Sequence, residues 1–152
     1  MSSIPDLIDG LFYDSDKAAY KCLKELISAS EKDSGVYKFF DTFTEMIDND
    51  NSYIRTRGLL LISANAKWDT DNKVDEIIDE YLRHIMDDKP ITARHCIRAL
   101  PNIAKFKPDL VDYILTALGK ADPQRYSDSM QPLVYNDIRT AQKTINALHL
   151  KQ

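Results

Sequence analysis

The sequence predicts an all-α protein, and three observations predict it. Glycine is scarce: Gly10, Gly35, Gly58 and Gly119 are the only four in 152 residues, too few for the tight turns of an all-β chain. Apolar residues recur every three to four positions along almost the whole length, which gathers them on one side of a helix. Pro90, Pro108 and Pro132 stand just where new apolar stripes begin, the helical position that needs no amide hydrogen.

Each predicted helix has its own stripe and punctuation. Ala19, Leu23 and Leu26, with Cys22 and Ile27, mark the first over 15–30, capped by Asp14 or Ser15. Val36, Phe40, Phe43 and Ile47 mark the second over 35–49, capped by Ser34. The third, 52–67, follows Asn51 or Ser52 and ends at Trp68, read as a plug between helix pairs. Val74, Ile78, Tyr81 and Ile85 mark the fourth, 72–87, behind Asp71. Ala93, Ile97, Leu100 and Ala104 mark the fifth, 90–106, which Pro101 should kink by removing one amide bond and crowding the Ile97 carbonyl. Leu110, Val111, Ile114, Leu115 and Leu118 mark the sixth, 108–119, ended by Gly119. Val134, Ile138, Ala141, Ile145 and Leu148 mark the seventh, 132–149. Segment 1–13, with Ile4, Leu7, Ile8, Leu11 and Phe12, is read as an N-terminal cap over an apolar face. Segment 120–131 is the one long connection. It exceeds the ~2–8 residues usual between bundled helices, which makes Arg125 and Tyr126 candidates for contact with a partner.

Length and composition bound the rest. A chain of 152 residues, 43% hydrophobic and 29% charged, is read as a single domain over 1–152 whose core needs no disulfide or metal. Its longest apolar run is Leu59-Leu60-Leu61-Ile62, far short of the ~18 residues that span a membrane. The N-terminus has no basic segment followed by an apolar one, so no secretory signal is read there. Cys22 and Cys96 sit on helical stripes and are read as reduced, buried thiols of a cytoplasmic protein. Net charge is −4, which counts against a dedicated nucleic-acid binder.

Catalytic and cofactor signatures are absent from the sequence. No two glycines are closer than 23 positions, so neither a dinucleotide fingerprint nor a phosphate loop is present. His84, His95 and His149 are scattered, and His95 and Cys96 are adjacent. Neighbours on a helix diverge by about 100° and do not share a metal. Asp41, Glu45 and Asp48 share a helical face, but a solvated face supplies none of the burial that acid–base catalysis needs. No nucleophile elbow is present. The sequence predicts no catalytic residue, no metal site and no cofactor.

A repeat underlies the helices. Asp50, Ile54, Arg57 and Leu60 correspond to Asp87, Ile91, Arg94 and Ile97, each pair 37 positions apart. Pro132-Leu133 follows Pro90-Ile91 by 42. Paired helices at this period are the mark of an α-helical solenoid. The 34-residue tetratricopeptide period is too short. The acidic turn, the β-branched residue and the arginine together make the chain resemble the HEAT-repeat family, or its armadillo relative, over about residues 15–149. The first repeat departs from the pattern with Lys21, and the last with Tyr135 or Asn136. The resemblance implies a short right-handed α-α superhelix of about three and a half repeats and seven helices. It also implies a ladder between repeats in which Asp50 and Asp87 meet Arg57 and Arg94.

Charge alternates along the chain. Stretch 36–50 sets Lys38 against four acids, and 71–88 sets Lys73 and Arg83 against seven. Stretch 51–68 holds Arg55, Arg57 and Lys67 without an acid, and 89–107 holds five bases without one. First helices are thus basic and second helices acidic. In the family resembled, second helices line the concave side. Its lining here would be Tyr37, Asp41, Glu45 and Asp48, then Asp75, Asp79 and Arg83, then Asp112, Tyr113 and Thr116. The expectation is a non-enzymatic scaffold that takes a basic peptide or protein surface in an acidic groove. The alternative, a nucleic-acid module using Arg55, Lys67, Arg98 and Lys105, resembles HEAT-like DNA-repair proteins in repeat type only.

Overall fold

The computed structural model describes residues 2–150, with side chains through Leu148; His149, one of the three histidines, has its side chain outside the described residues. Every regular element among the described residues is helical. The chain divides into two compact units between Lys73 and Val74.

The first unit contains α1 (Ile4–Gly10), α2 (Asp16–Lys32), α3 (Phe40–Met46) and α4 (Ser52–Asn65). The predicted cap segment is α1, which packs on α2 and buries Leu7, Ile8 and Leu11. Ser15 caps α2 by accepting from the Ala18 amide, and Asn51 caps α4 by accepting from Tyr53. The second predicted helix is shorter than 35–49. Asp33 accepts from the Gly35 amide at 2.8 Å and holds a turn there. Helix then begins with a 3-10 turn, Tyr37–Phe39, and α3 ends at Met46. α4 is the central helix, packed against both α2 and α3. It passes α3 at Gly58, where an added Cβ would lie 2.8 Å from the Met46 Cβ and 3.0 Å from the Phe43 carbonyl oxygen. Trp68 closes a 3-10 turn after α4, its indole donating to the Ser30 carbonyl at 2.7 Å.

The second unit contains α5 (Lys73–Leu82) with a 3-10 turn at Arg83–Met86, α6 (Pro90–Phe106), α7 (Val111–Lys120) and α8 (Gln131–Leu150). Asp69, not Asp71, precedes α5 as its cap, accepting from the Lys73 amide at 2.8 Å. Between them Asn72 takes a left-handed backbone, φ 57°, which asparagine tolerates better than most residues. Pro101 lies inside α6, and the helix continues past it. α6 is the central helix here. It packs against the Arg83–Met86 turn, α7 and α8, and its Ala93, Cys96, Ile97 and Leu100 are buried. Gly119 does not end α7, which runs on to Lys120.

Two glycines of opposite circumstance test this packing. Gly58→Ala should destabilise the protein by about 1–3 kcal/mol, because backbone and core side chains block the new methyl. Gly119→Ala meets nothing within 4 Å and should stabilise α7 by about 0.5–1 kcal/mol. Denaturant melts of the two variants read both signs, and equal effects would contradict the packing.

Candidate functional site

The predicted second-helix residues separate into groups with different surroundings. In the first unit the Tyr37 hydroxyl donates to Asp69 at 2.6 Å. Burial, and then the Asp69 hydrogen bond and charge, push its phenol well above the ordinary tyrosine range. Lys73 lies 5.9 Å over the Tyr37 ring and pairs with Asp41 at 3.2 Å. Tyr37 and Asp41 are thus joined into an internal network, while Glu45 and Asp48 are exposed.

In the second unit the N-terminal ends of α5 and α7 meet. The Lys107 ammonium, 8% exposed, pairs with Asp75 at 2.8 Å. Desolvation opposes ionisation of Asp75, but the hydrogen bond to Asp109 and the Lys107 charge outweigh it and hold its carboxyl low. The same hydrogen bond, with desolvation and the Asp75 charge, raises Asp109. At the other end, Arg125, just beyond α7, donates to the Met86 carbonyl at 3.3 Å. The Tyr126 hydroxyl donates to the Asp87 carbonyl at 2.6 Å. The two ends fix the direction: α5 and α7 run the same way, side by side.

A groove of about 640 Å³ opens between them, within the ~300–1,000 Å³ typical of ligand clefts. Leu82, Ile85, Met86, Ala117 and Ala121 supply apolar lining, and Asp79, Arg83, Asp112, Tyr113 and Lys120 the polar and aromatic lining. Five of the predicted lining residues, Asp79, Arg83, Asp112, Tyr113 and Thr116, are brought together here. The parallel run places Asp79 and Asp112 toward one end and Arg83 and Lys120 toward the other. None of these four charged side chains has an ion pair or side-chain hydrogen bond among the described residues. Tyr113 is 61% exposed.

Other expectations resolve differently. Tyr126 is buried at 7% exposure, so it is not a surface contact. With Arg125, which also reaches Asp88 at 3.7 Å, it fastens segment 120–131 to the 86–88 turn. The ladder arginines are anchored by carboxylates on neighbouring helices. Arg57, 6% exposed, donates to the Leu11 carbonyl at 2.8 Å and to Asp16 at 3.2 Å. Arg94 meets Asp137 at 2.6 Å, and Arg98 reaches the same carboxylate at 3.4 Å. Asp87 holds His84 at 2.7 Å and the Lys89 amide at 2.9 Å, while Asp50 is exposed. The sequence reading missed Asp16, Asp137, Lys107 and Lys120. Asp137 was signalled by its spacing of 43 from Arg94, close to the 42 between the prolines that open those helices.

The basic residues of the first helices are largely engaged. Arg55 donates to the Asn49 and Asp50 carbonyls, Lys67 to the Glu31 carbonyl, and Arg98 to Asp137. Lys105 lies 5.2 Å over the Phe106 ring. Among the described residues no three His, Cys, Asp or Glu side chains converge to hold a metal ion, and no helix is long and apolar enough to cross a membrane. No protein-family model, no curated protein and no solved structure matches the chain.

Tyr126 offers a test with a defined pH sign. Burial, with the neighbouring Asp87 and Asp88 charges adding to it and Arg125 opposing, pushes its phenol up to about 12. Its contribution to stability is complete below pH 10 and is lost as pH rises toward 12. Tyr126→Phe should cost about 1–2 kcal/mol at neutral pH by leaving the Asp87 carbonyl without its donor. The difference from wild type should shrink above pH 10, read in urea titrations along a pH series. A neutral-pH difference near zero would contradict the staple.

Proposed function

We propose that this chain is a non-enzymatic protein-interaction module, of the HEAT-like helical-repeat type, that holds a segment of a partner protein in the α5–α7 groove. The observation that carries the reading is the groove itself: an apolar floor beside four charged side chains without internal partners and one exposed tyrosine. An apolar floor stabilises what it covers by about 25 cal/mol per Å² removed from water. An exposed aromatic at its edge is the residue type that most often anchors a partner. The carboxylates of Asp79 and Asp112 would draw in a basic side chain of that segment.

Two further features support the repeat reading. Arg57 reaches back 41 residues to Asp16, and Arg94 reaches forward 43 to Asp137. Each central helix thereby takes a carboxylate from another first helix about one repeat away. α5 and α7, the second helices, run in the same direction as stacked repeats require. Cys22 and Cys96 are free thiols, which fits a reducing compartment such as the cytoplasm. The nucleic-acid alternative has less to draw on, since Arg55, Lys67 and Arg98 already hold hydrogen bonds within the fold.

A photo-crosslinking amino acid at position 113 tests the assignment, with positions 20 and 53 as exposed tyrosine controls. Position 113 should capture a discrete partner from host lysate, and Met86→Lys in the groove floor should abolish the capture. Tyr113→Ala should weaken that partner's binding about tenfold, or ~1.4 kcal/mol. Equal labelling from all three positions, or capture indifferent to Met86→Lys, would refute the groove.

A further inference from the structure

The groove carries its charges in order, and that order describes its occupant. The contact of Asp75 with Lys107 and Asp109 sets the beginnings of α5 and α7 side by side. Asp79 and Asp112 therefore share one end of the groove, and Arg83 and Lys120 share the other. Tyr113, Leu82 and Ala117 lie between, and Ile85, Met86 and Ala121 lie at the basic end. Asp112 and Lys120 are eight residues apart on one helix, or ~12 Å along its axis. Acids near helix N-termini and bases near C-termini also offset the helix dipoles. That role, however, needs neither an apolar floor nor an exposed tyrosine.

Resting on the groove reading above, we infer that the occupant is a linear protein segment of opposed end charges: a Lys or Arg against Asp79 and Asp112, an Asp or Glu against Arg83 and Lys120, and an apolar or aromatic side chain between them on the floor. The acid and base stand ~6 Å apart along α5 and ~12 Å apart along α7, about two to four residues of extended chain or four to eight of helix, so the two charges of the segment stand two to eight positions apart. A uniformly basic segment would leave Arg83 and Lys120 facing like charge, and a uniformly acidic one would do the same to Asp79 and Asp112. Such juxtapositions reject a partner as effectively as good contacts select one.

Random twelve-residue peptides displayed on phage and panned against the full chain test this directly. Parallel pannings use the double variants Asp79→Lys with Asp112→Lys, and Arg83→Glu with Lys120→Glu, each first shown by circular dichroism and melting to be folded. The native chain should enrich peptides with a base and an acid two to eight positions apart, in one fixed order, around an apolar residue. Each variant should bind the native-selected peptide at least tenfold more weakly by fluorescence polarisation. Affinity should return when the peptide charge facing the altered end is reversed. Peptides enriched without charge order, or binding unchanged in both variants, would overturn the inference while leaving the groove as a binding site. No enrichment, or enrichment untouched by Met86→Lys, would overturn the groove reading and this inference with it.

Discussion

Two arginines on the central helices, Arg57 and Arg94, dictate where their neighbours must lie. A guanidinium withdrawn from water needs carboxylate or carbonyl oxygens in a fixed geometry, and losing them costs several kcal/mol. Arg57 finds the Leu11 carbonyl and Asp16, which brings the end of α1 and the start of α2 against α4. Arg94, with help from Arg98, finds Asp137, itself only 7% exposed, which ties α6 to α8. Directional bonds of this kind fix register, whereas apolar contacts alone would leave the helices free to slide.

The groove follows from that constraint in the second unit. α6 supports both walls, because the Arg83–Met86 turn and α7 each pack on it, and α8 braces α7 from behind. The ends of the walls are then pinned, by the contact of Lys107 with Asp75 at one end and by Arg125 and Tyr126 at the other. What remains between the pins is a strip of α5 and α7 with no helix of its own unit to cover it. Its floor stays apolar, and its rim charges have no partner.

Helix identity and order were legible in the sequence because apolar spacing reports which side of a helix is buried. α6 begins at Pro90 and ends at Phe106, as the stripe and the proline dictate. Boundaries set by side chains from elsewhere were not legible. Asp69 displaced Asp71 as the cap of α5, because Asn72 turns the chain through a left-handed residue. Gly119 reads as a helix end, yet α7 passes through it, for a glycine in an exposed helix costs too little to stop one. Five of the groove residues were predicted from charge and spacing. Their separation into an acidic end and a basic end was not, because it depends on α5 and α7 being parallel. Tyr126 looked like a loop contact because nothing local shows that the Asp87 carbonyl awaits its hydroxyl.

The measurement that bears most directly on this account is a double-mutant cycle on Arg94 and Asp137, with Arg94→Ala, Asp137→Ala and the pair compared by chemical denaturation. If the buried ion pair sets the register of α6 and α8, the two residues should be coupled by about 1.5–3 kcal/mol, as charged partners in direct contact are. The double variant would then be little worse than either single one. Strictly additive losses would show that the two side chains act independently, and that apolar packing alone holds α6 against α8.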